Sequence, residues 1–220
     1  MKAYVMKNVL TILATLLCVF AVQAQAAPAF DQQLLTLQEQ WAHINYEVDK
    51  NQKEAEFEKL AGQLQELAAQ NPGRPEPLIW RGIVLSTWAG AKGGLGALGL
   101  VKDARDLFEQ SLKLSQDALQ GSAYTSLGSL YYQVPGWPIG FGDDKKARQL
   151  LEKAIAINPA GIDSNYFYAD YWLEQGEYPK AKQYFDKALQ APARPGRPLA
   201  DAGRRQEIQT KLALVEKKLH

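Results

Sequence analysis

The feature that most constrains this chain is a spacing: Ala147 and Ala181 stand 34 residues apart, each inside the same pattern of small and bulky positions. From Asn165 the chain reads Asn165, Tyr168, Ala169, Trp172, then Ala181, Phe185 and Ala188. Residues three and four apart share one face of a helix, so each half of the pattern describes one helix. Gln175-Gly176-Glu177-Tyr178 between them reads as a turn and a second helix start. Small side chains at Ala169, Ala181 and Ala188 let two antiparallel helices approach closely, while Tyr168, Trp172 and Phe185 fill the space around that contact. The preceding stretch repeats the first half as Tyr124, Leu127, Gly128 and Tyr131. It repeats the second half as Ala147, Leu151 and Ala154, with Pro159 ending the helix. Such self-similarity is the mark of stacked two-helix units, none of which can bury its apolar face alone.

The pattern continues upstream in weaker form, as Leu78, Gly82 and Leu85, then Ala104, Phe108 and Ser111. Weaker still is Trp41, Ile44, Asn45 and Val48, followed by Leu60, Leu64 and Leu67 and a stop at Asn71-Pro72-Gly73. The linker PARPGRP (192–198) leads to a last helix with Ile208, Leu212, Val215 and Leu219 on one face. A stack of repeats needs a terminal element that is apolar inside and polar outside, which this helix suits. No segment alternates apolar and polar residues over a strand's length. The prediction is an all-α chain of nine helices in one right-handed α-solenoid domain over 27–220. Its helix pairs lie near 30–74, 75–118, 121–159 and 162–192, and a capping helix covers 199–219.

The 34-residue period with these residue types resembles the tetratricopeptide repeat (TPR) family. Residues 75–192 are also similar to the T component of tripartite ATP-independent periplasmic (TRAP) transporters, through GGLGAL after one helix and PGW…GFGDDKKA before another. The first resemblance implies a groove lined by the first helix of each pair. The second implies assembly with a transport system and passage of hydrophobic ligands through the solenoid.

The first 26 residues are expected to leave the protein. Lys2 and Lys7 precede the apolar run VLTILATLLCVFAV, and Ala24-Gln25-Ala26 follows as a small-x-small cleavage signal. The run is shorter than the roughly 20 residues a membrane span needs. Cleavage after Ala26, or after Ala24, makes the protein periplasmic. It removes Cys18, the single cysteine, and moves the formal net charge from +1 to −1. A disulfide-free exported chain must rest on its hydrophobic core, and its remaining length suffices for one. Near-neutral charge argues against nucleic acid as a partner, since phosphate binding needs a clustered positive surplus.

Two insertions interrupt the repeats, each between the first and second helix of its pair. AGAKGGLGALGL (89–100) adds ten residues and VPGWPIGFG (134–142) adds seven. Equivalent turns of adjacent repeats lie along one edge, and per-repeat insertions often mark a binding face. Trp137 and Phe141 offer apolar surface and Lys92 a lone charge, as an apolar lip or, for Trp137, as a plug over the helix ends. Asp163 and Asp170, seven apart on one helix beside Tyr166, predict an acidic and aromatic groove floor, faced by Tyr132, Ser129 and Thr125 of the previous repeat. Trp80, Lys92, Tyr132, Trp137, Phe141, Asp163, Tyr166 and Asp170 are the candidate binding residues. Arg194, Arg197, Arg204 and Arg205 near the last linker read as a solvated face, with an anionic partner such as a lipid headgroup as the lesser reading.

Other motifs point away from chemistry. Gly94-Leu95-Gly96-Ala97-Leu98-Gly99 spells a dinucleotide fingerprint, yet a helix precedes it and no βαβ frame surrounds it. His43 and His220 lack the spacing of metal ligands. Without a mature cysteine or a histidine partner, serine and cysteine triads are excluded in practice. Asp143-Asp144 reads as a helix N-cap rather than an acid/base pair. These readings predict no catalytic residue, no metal and no cofactor. The expected function is a non-enzymatic periplasmic protein binding a partner protein, a peptide or an apolar small molecule. It would act either as an accessory of a TRAP-type, membrane-associated transport complex or as a scaffold of the cell envelope, with a homo-oligomer left open.

Overall fold

Small residues placed every helical turn decide how closely these helices pack. In the computed structural model, which describes residues 29–219, Ala104, Phe108 and Ser111 on one helix are wholly buried. So are Ala147, Leu151 and Ala154 on a second, and Ala181, Phe185 and Ala188 on a third. The described residues form nine helices and no strand: α1 (Phe30–Tyr46), α2 (Lys50–Gln70), α3 (Glu76–Lys92), α4 (Ala97–Leu114), α5 (Ala118–Gln133), α6 (Asp144–Ile157), α7 (Ile162–Glu174), α8 (Tyr178–Leu189) and α9 (Pro198–Leu219). The cleavage signal and the apolar run before it lie outside the described residues. The packing described here is that of Gln33–His220, one compact unit.

α3 packs on α4, α5 on α6 and α7 on α8; a few residues join the first and last of these pairs, and the inserted loop 134–143 joins α5 to α6. Successive pairs stack through α2 on α3, α4 on α5 and α6 on α7. The first helices also meet one another, α3 with α5 and α5 with α7, as the inner layer of an α-solenoid must. Close approach needs glycine where the sequence has it: a Cβ on Gly82 would stand 2.6 Å from the Phe108 ring, and one on Gly128 2.8 Å from Leu151. Helix ends follow local chemistry. Asp143 caps α6 by accepting from the Lys146 N–H at 2.9 Å, as the N-cap reading required. Asn165 donates to the carbonyls of Pro159 at 2.9 Å and Gly161 at 2.8 Å, which holds the turn between α6 and α7.

α9 packs on α8 and α7 and buries Ala200, Ile208 and Val215. Its last turns differ from the expectation, because Leu219 is exposed and Leu212 only half-buried. The linker before it and its first turns reach across to α1. A Cβ on Gly196 would meet Leu35 at 3.0 Å, and one on Gly203 would meet the Tyr46 ring at 2.4 Å. The terminal segment therefore covers the end of the stack and also crosses its inner layer.

Candidate binding cavity

The inner layer encloses a cavity of about 580 Å³, a size typical of small-ligand sites. α1 contributes Gln38 and Trp41, α3 Trp80 and Thr87, α5 Thr125, Ser126 and Ser129, and α7 Asp163 and Phe167. Every pair thus supplies its first helix, and the linker residues 192–195 and Arg197, with Arg204, complete the wall. Trp41 and Trp80 meet edge to face at 5.8 Å, and the Trp41 Nε1–H donates to the Thr87 hydroxyl at 3.0 Å. At the start of α5, Leu119 and Gln120 adopt left-handed backbone with φ of 48° and 56°, and both line the cavity. Such conformations cost roughly 1–2 kcal/mol each in residues with a Cβ. The Asn158 side-chain amide donates to the Gln120 side-chain Oε1 at 3.0 Å, which ties this turn to the end of α6.

The arginines that the sequence suggests as a solvated face are instead turned inward. Asp163 accepts from Arg194 Nη1 at 2.6 Å and from Arg204 Nε at 2.9 Å. Arg194 also grips Asp201 at 2.6 Å, and Arg204 grips Glu207 at 2.5 Å. Burial alone would raise the Asp163 pKa, but the guanidiniums of Arg204, Arg194 and Arg197 outweigh it and hold the carboxyl at about 2. Arg197 differs from its neighbours. Its guanidinium lies 4.8 Å over the Trp80 ring, its Nε is buried without a hydrogen-bond partner, and no carboxylate pairs with it among the described residues. Burial first, then the charge of Arg194, lower its pKa to about 10. Arg205 points elsewhere and donates to the carbonyls of Leu189 and Ala191. The sequence shows these four arginines as one cluster, but only the fold separates Arg194 and Arg204, which hold acids, from Arg205, which holds carbonyls, and Arg197, which stacks on Trp80.

Of the eight residues predicted from sequence, the cavity gathers two, Trp80 and Asp163. The acidic floor is therefore corrected: Asp163 is neutralised by arginines, and Asp170 by Lys211 Nζ at 2.8 Å and by the Tyr132 hydroxyl donating at 2.9 Å. Tyr166 is buried under Arg204, whose guanidinium lies 4.2 Å over its ring, and packs on Phe185. Burial before all else pushes the phenols of Tyr132 and Tyr166 above their ordinary range. Lys92 is at the surface, paired with Glu54 at 2.7 Å. Trp137 is no plug, because 90% of its surface is exposed. Phe141 plugs the loop instead, edge to face with Tyr131 at 5.4 Å and under Arg105 of the preceding pair at 4.9 Å. Thr125 and Ser129 line the cavity, in agreement with the groove expected from α5.

Among the described residues no helix is long and apolar enough to cross a membrane, and no cluster of three or more His, Cys, Asp or Glu could hold a metal ion. Residues 139–198 match the family model of the tetratricopeptide repeat, which spans α6, α7, α8 and the linker. No curated protein matches the chain. Solved structures that resemble it include MamA, 20% identical with a TM-score of 0.43, covering 77% of this chain and 92% of that one. A thermophilic TPR protein of Thermus thermophilus, TTC0263, is 16% identical with a TM-score of 0.40, covering 84% and 98%. PilF of Pseudomonas aeruginosa is 16% identical with a TM-score of 0.33, covering 87% and 93%. The solenoid is read from the helix pairing of this chain and not from these likenesses.

Proposed function

We propose that the protein is a non-enzymatic binding scaffold of the periplasm that holds a segment of a partner protein in this cavity. The observation that carries the reading is the cavity itself, to which all four helix pairs contribute an inner helix. The tetratricopeptide match over 139–198 supports it, because repeats of this kind serve as scaffolds for protein partners. The acids that could have done chemistry have structural partners: Asp143 caps α6, and Asp163 and Asp170 are bound by basic side chains. The test is selection of binding peptides from a random display library, repeated on Ser126→Trp, which fills the cavity from the α5 wall. Peptides that bind the native protein and lose the Trp variant are expected. Peptides that bind both equally would move the function off the cavity.

Export rests on the leader-like first 26 residues. Cell fractionation with N-terminal sequencing should find a periplasmic protein beginning at Ala27, or at Gln25. A full-length cytoplasmic chain would end that part of the reading.

The second reading, an accessory of a TRAP-type transport complex, draws on the inserted loops. Leu95, Trp137 and Ile139 are 79%, 90% and 57% exposed, more apolar surface than two neighbouring turns need for folding. Such a lip suits a membrane-bound partner or an apolar ligand. Trp137 fluorescence should shift with a fatty-acid probe if the lip takes apolar ligands; an unchanged spectrum counts against it.

A further inference from the structure

Gln38 is a polar side chain that the cavity wall leaves unsatisfied. It stands on α1 with 9% of its surface exposed, lines the cavity, and makes no side-chain hydrogen bond to a described residue. Its amide nitrogen and oxygen are not sealed in, as the Arg197 Nε is, and the space they meet is the cavity. Buried amides are almost always hydrogen-bonded, because an unmade bond leaves the full desolvation cost of the group. We propose that the occupant brings a primary carboxamide, the side-chain group of asparagine or glutamine, and that Gln38 pairs with it edge to edge. The inference rests on the reading that a partner segment occupies the cavity, and it adds which side chain that segment presents.

The charges of the wall select against an ionised group. Arg194, Arg197 and Arg204 supply three positive charges, and Asp163, Asp201 and Glu207 around them supply three negative ones. A carboxylate or an ammonium brought into that balanced setting would give up its water without gaining a counter-charge. Geometry then selects among neutral groups. A primary carboxamide carries an N–H and a carbonyl lone pair on one edge, so two such groups join through a pair of hydrogen bonds. A trans peptide unit turns its N–H and C=O to opposite sides and cannot meet both ends of the Gln38 amide at once. The carboxamide keeps a second N–H and a second lone pair for a hydroxyl of the wall. Ser126 on α5 offers one that bonds no described residue, while the hydroxyls of Ser122 and Ser129 donate to backbone carbonyls. Trp41 and Trp80 give the methylene stem an apolar surface.

The probes are propionamide, which is the glutamine side chain without its backbone, N-methylpropionamide, a trans amide like the main chain, and propionate. Each is titrated into the full chain, Gln38→Leu and Gln38→Glu, with nuclear magnetic resonance following the side-chain amide and indole N–H signals. The paired hydrogen bonds predict that propionamide binds roughly fivefold or more tightly than either of the other two. Gln38→Leu should abolish that preference, and Gln38→Glu, which keeps the acceptor and loses the NH2, should reduce it. Without ligand, Gln38→Leu should melt no lower than the native protein, because it removes an unpaired buried amide. A clear fall in melting temperature would show that the amide is bonded within the fold and would overturn the proposal. Equal or tighter binding of N-methylpropionamide or propionate would overturn it as well. Display-selected peptides should carry asparagine or glutamine at one shared position and lose most of their affinity when it becomes leucine. Peptides that Ser126→Trp rejects but that share no such residue would overturn the proposal while leaving the scaffold intact. If propionamide binds through Gln38 and selected peptides fail to compete with it, the carboxamide site stands and it is the scaffold reading that falls.

Discussion

At the scale of single residues, Asp163 shows how a position legible as acidic can have a role that is not legible. Its carboxyl binds a proton less readily in the folded chain, at about 2, than when unfolded near the ordinary 3.8. The stabilisation it provides is therefore full above about pH 4 and is lost as the pH falls toward 2. Acid unfolding of Asp163→Asn should accordingly show a shallower decline between pH 4 and pH 2 than the native protein. At neutral pH the same change should cost about 1–3 kcal/mol in chemical denaturation, because Arg194 and Arg204 lose a shared partner. The figure is kept low because that carboxylate is still one-third exposed. Trp137 and Phe141 make a second contrast four residues apart. Trp137→Ala should change stability by less than about 0.5 kcal/mol, as surface substitutions do. Phe141→Ala should cost about 1–3 kcal/mol, since it removes the contacts with Tyr131 and Arg105.

At the scale of helices, the informative residues are the smallest ones. Alanine favours a helix over glycine by about 1 kcal/mol, so Gly82→Ala and Gly128→Ala would stabilise an isolated helix. In this stack each new methyl would stand under 3 Å from Phe108 or Leu151, so overpacking wins. Both variants should melt lower, by about 1–2 kcal/mol net, and a rise in melting temperature would mean the pairs are looser than described. The seven-residue insertion is built on the same kind of closeness. Gly142 donates to the Pro135 carbonyl at 3.0 Å, and a Cβ there would collide with the Val134 carbonyl oxygen. Asp143 then returns to α5 by donating its N–H to the Tyr131 carbonyl at 2.8 Å, so the loop ends as the cap of α6.

At the scale of the whole described unit, the C-terminal segment from Pro192 to Leu219 joins the last pair to the first. Its backbone at Gly196 and Gly203 lies against Leu35 and Tyr46 on α1, and its side chains reach Trp80 on α3 and Asp163 and Asp170 on α7. A chain ending at Ala191 should lose several kcal/mol and bind a hydrophobic dye, because Phe185, Tyr166 and the two Trp rings lose cover. A truncated chain that melts like the full one would show that the segment is an appendage. Salt should weaken this closure only modestly, because the central pairs of Arg204 are largely shielded from water.

The helix pairs were legible from Gly82, Gly128, Ala147 and Ala181 because close packing between neighbours in the chain is a local demand, met every few residues by a small side chain. Asp143 was legible as a cap for the same reason, since its partner lies three residues on. The cavity was not. Trp41, Trp80, Ser126, Asp163 and Arg197 are brought together only by the curvature summed over four pairs. No spacing in the sequence reports that sum. Nor could charge alone separate Arg197 from Arg194 and Arg204: the three differ in which carboxylates stand within 4 Å, and tertiary packing sets those distances.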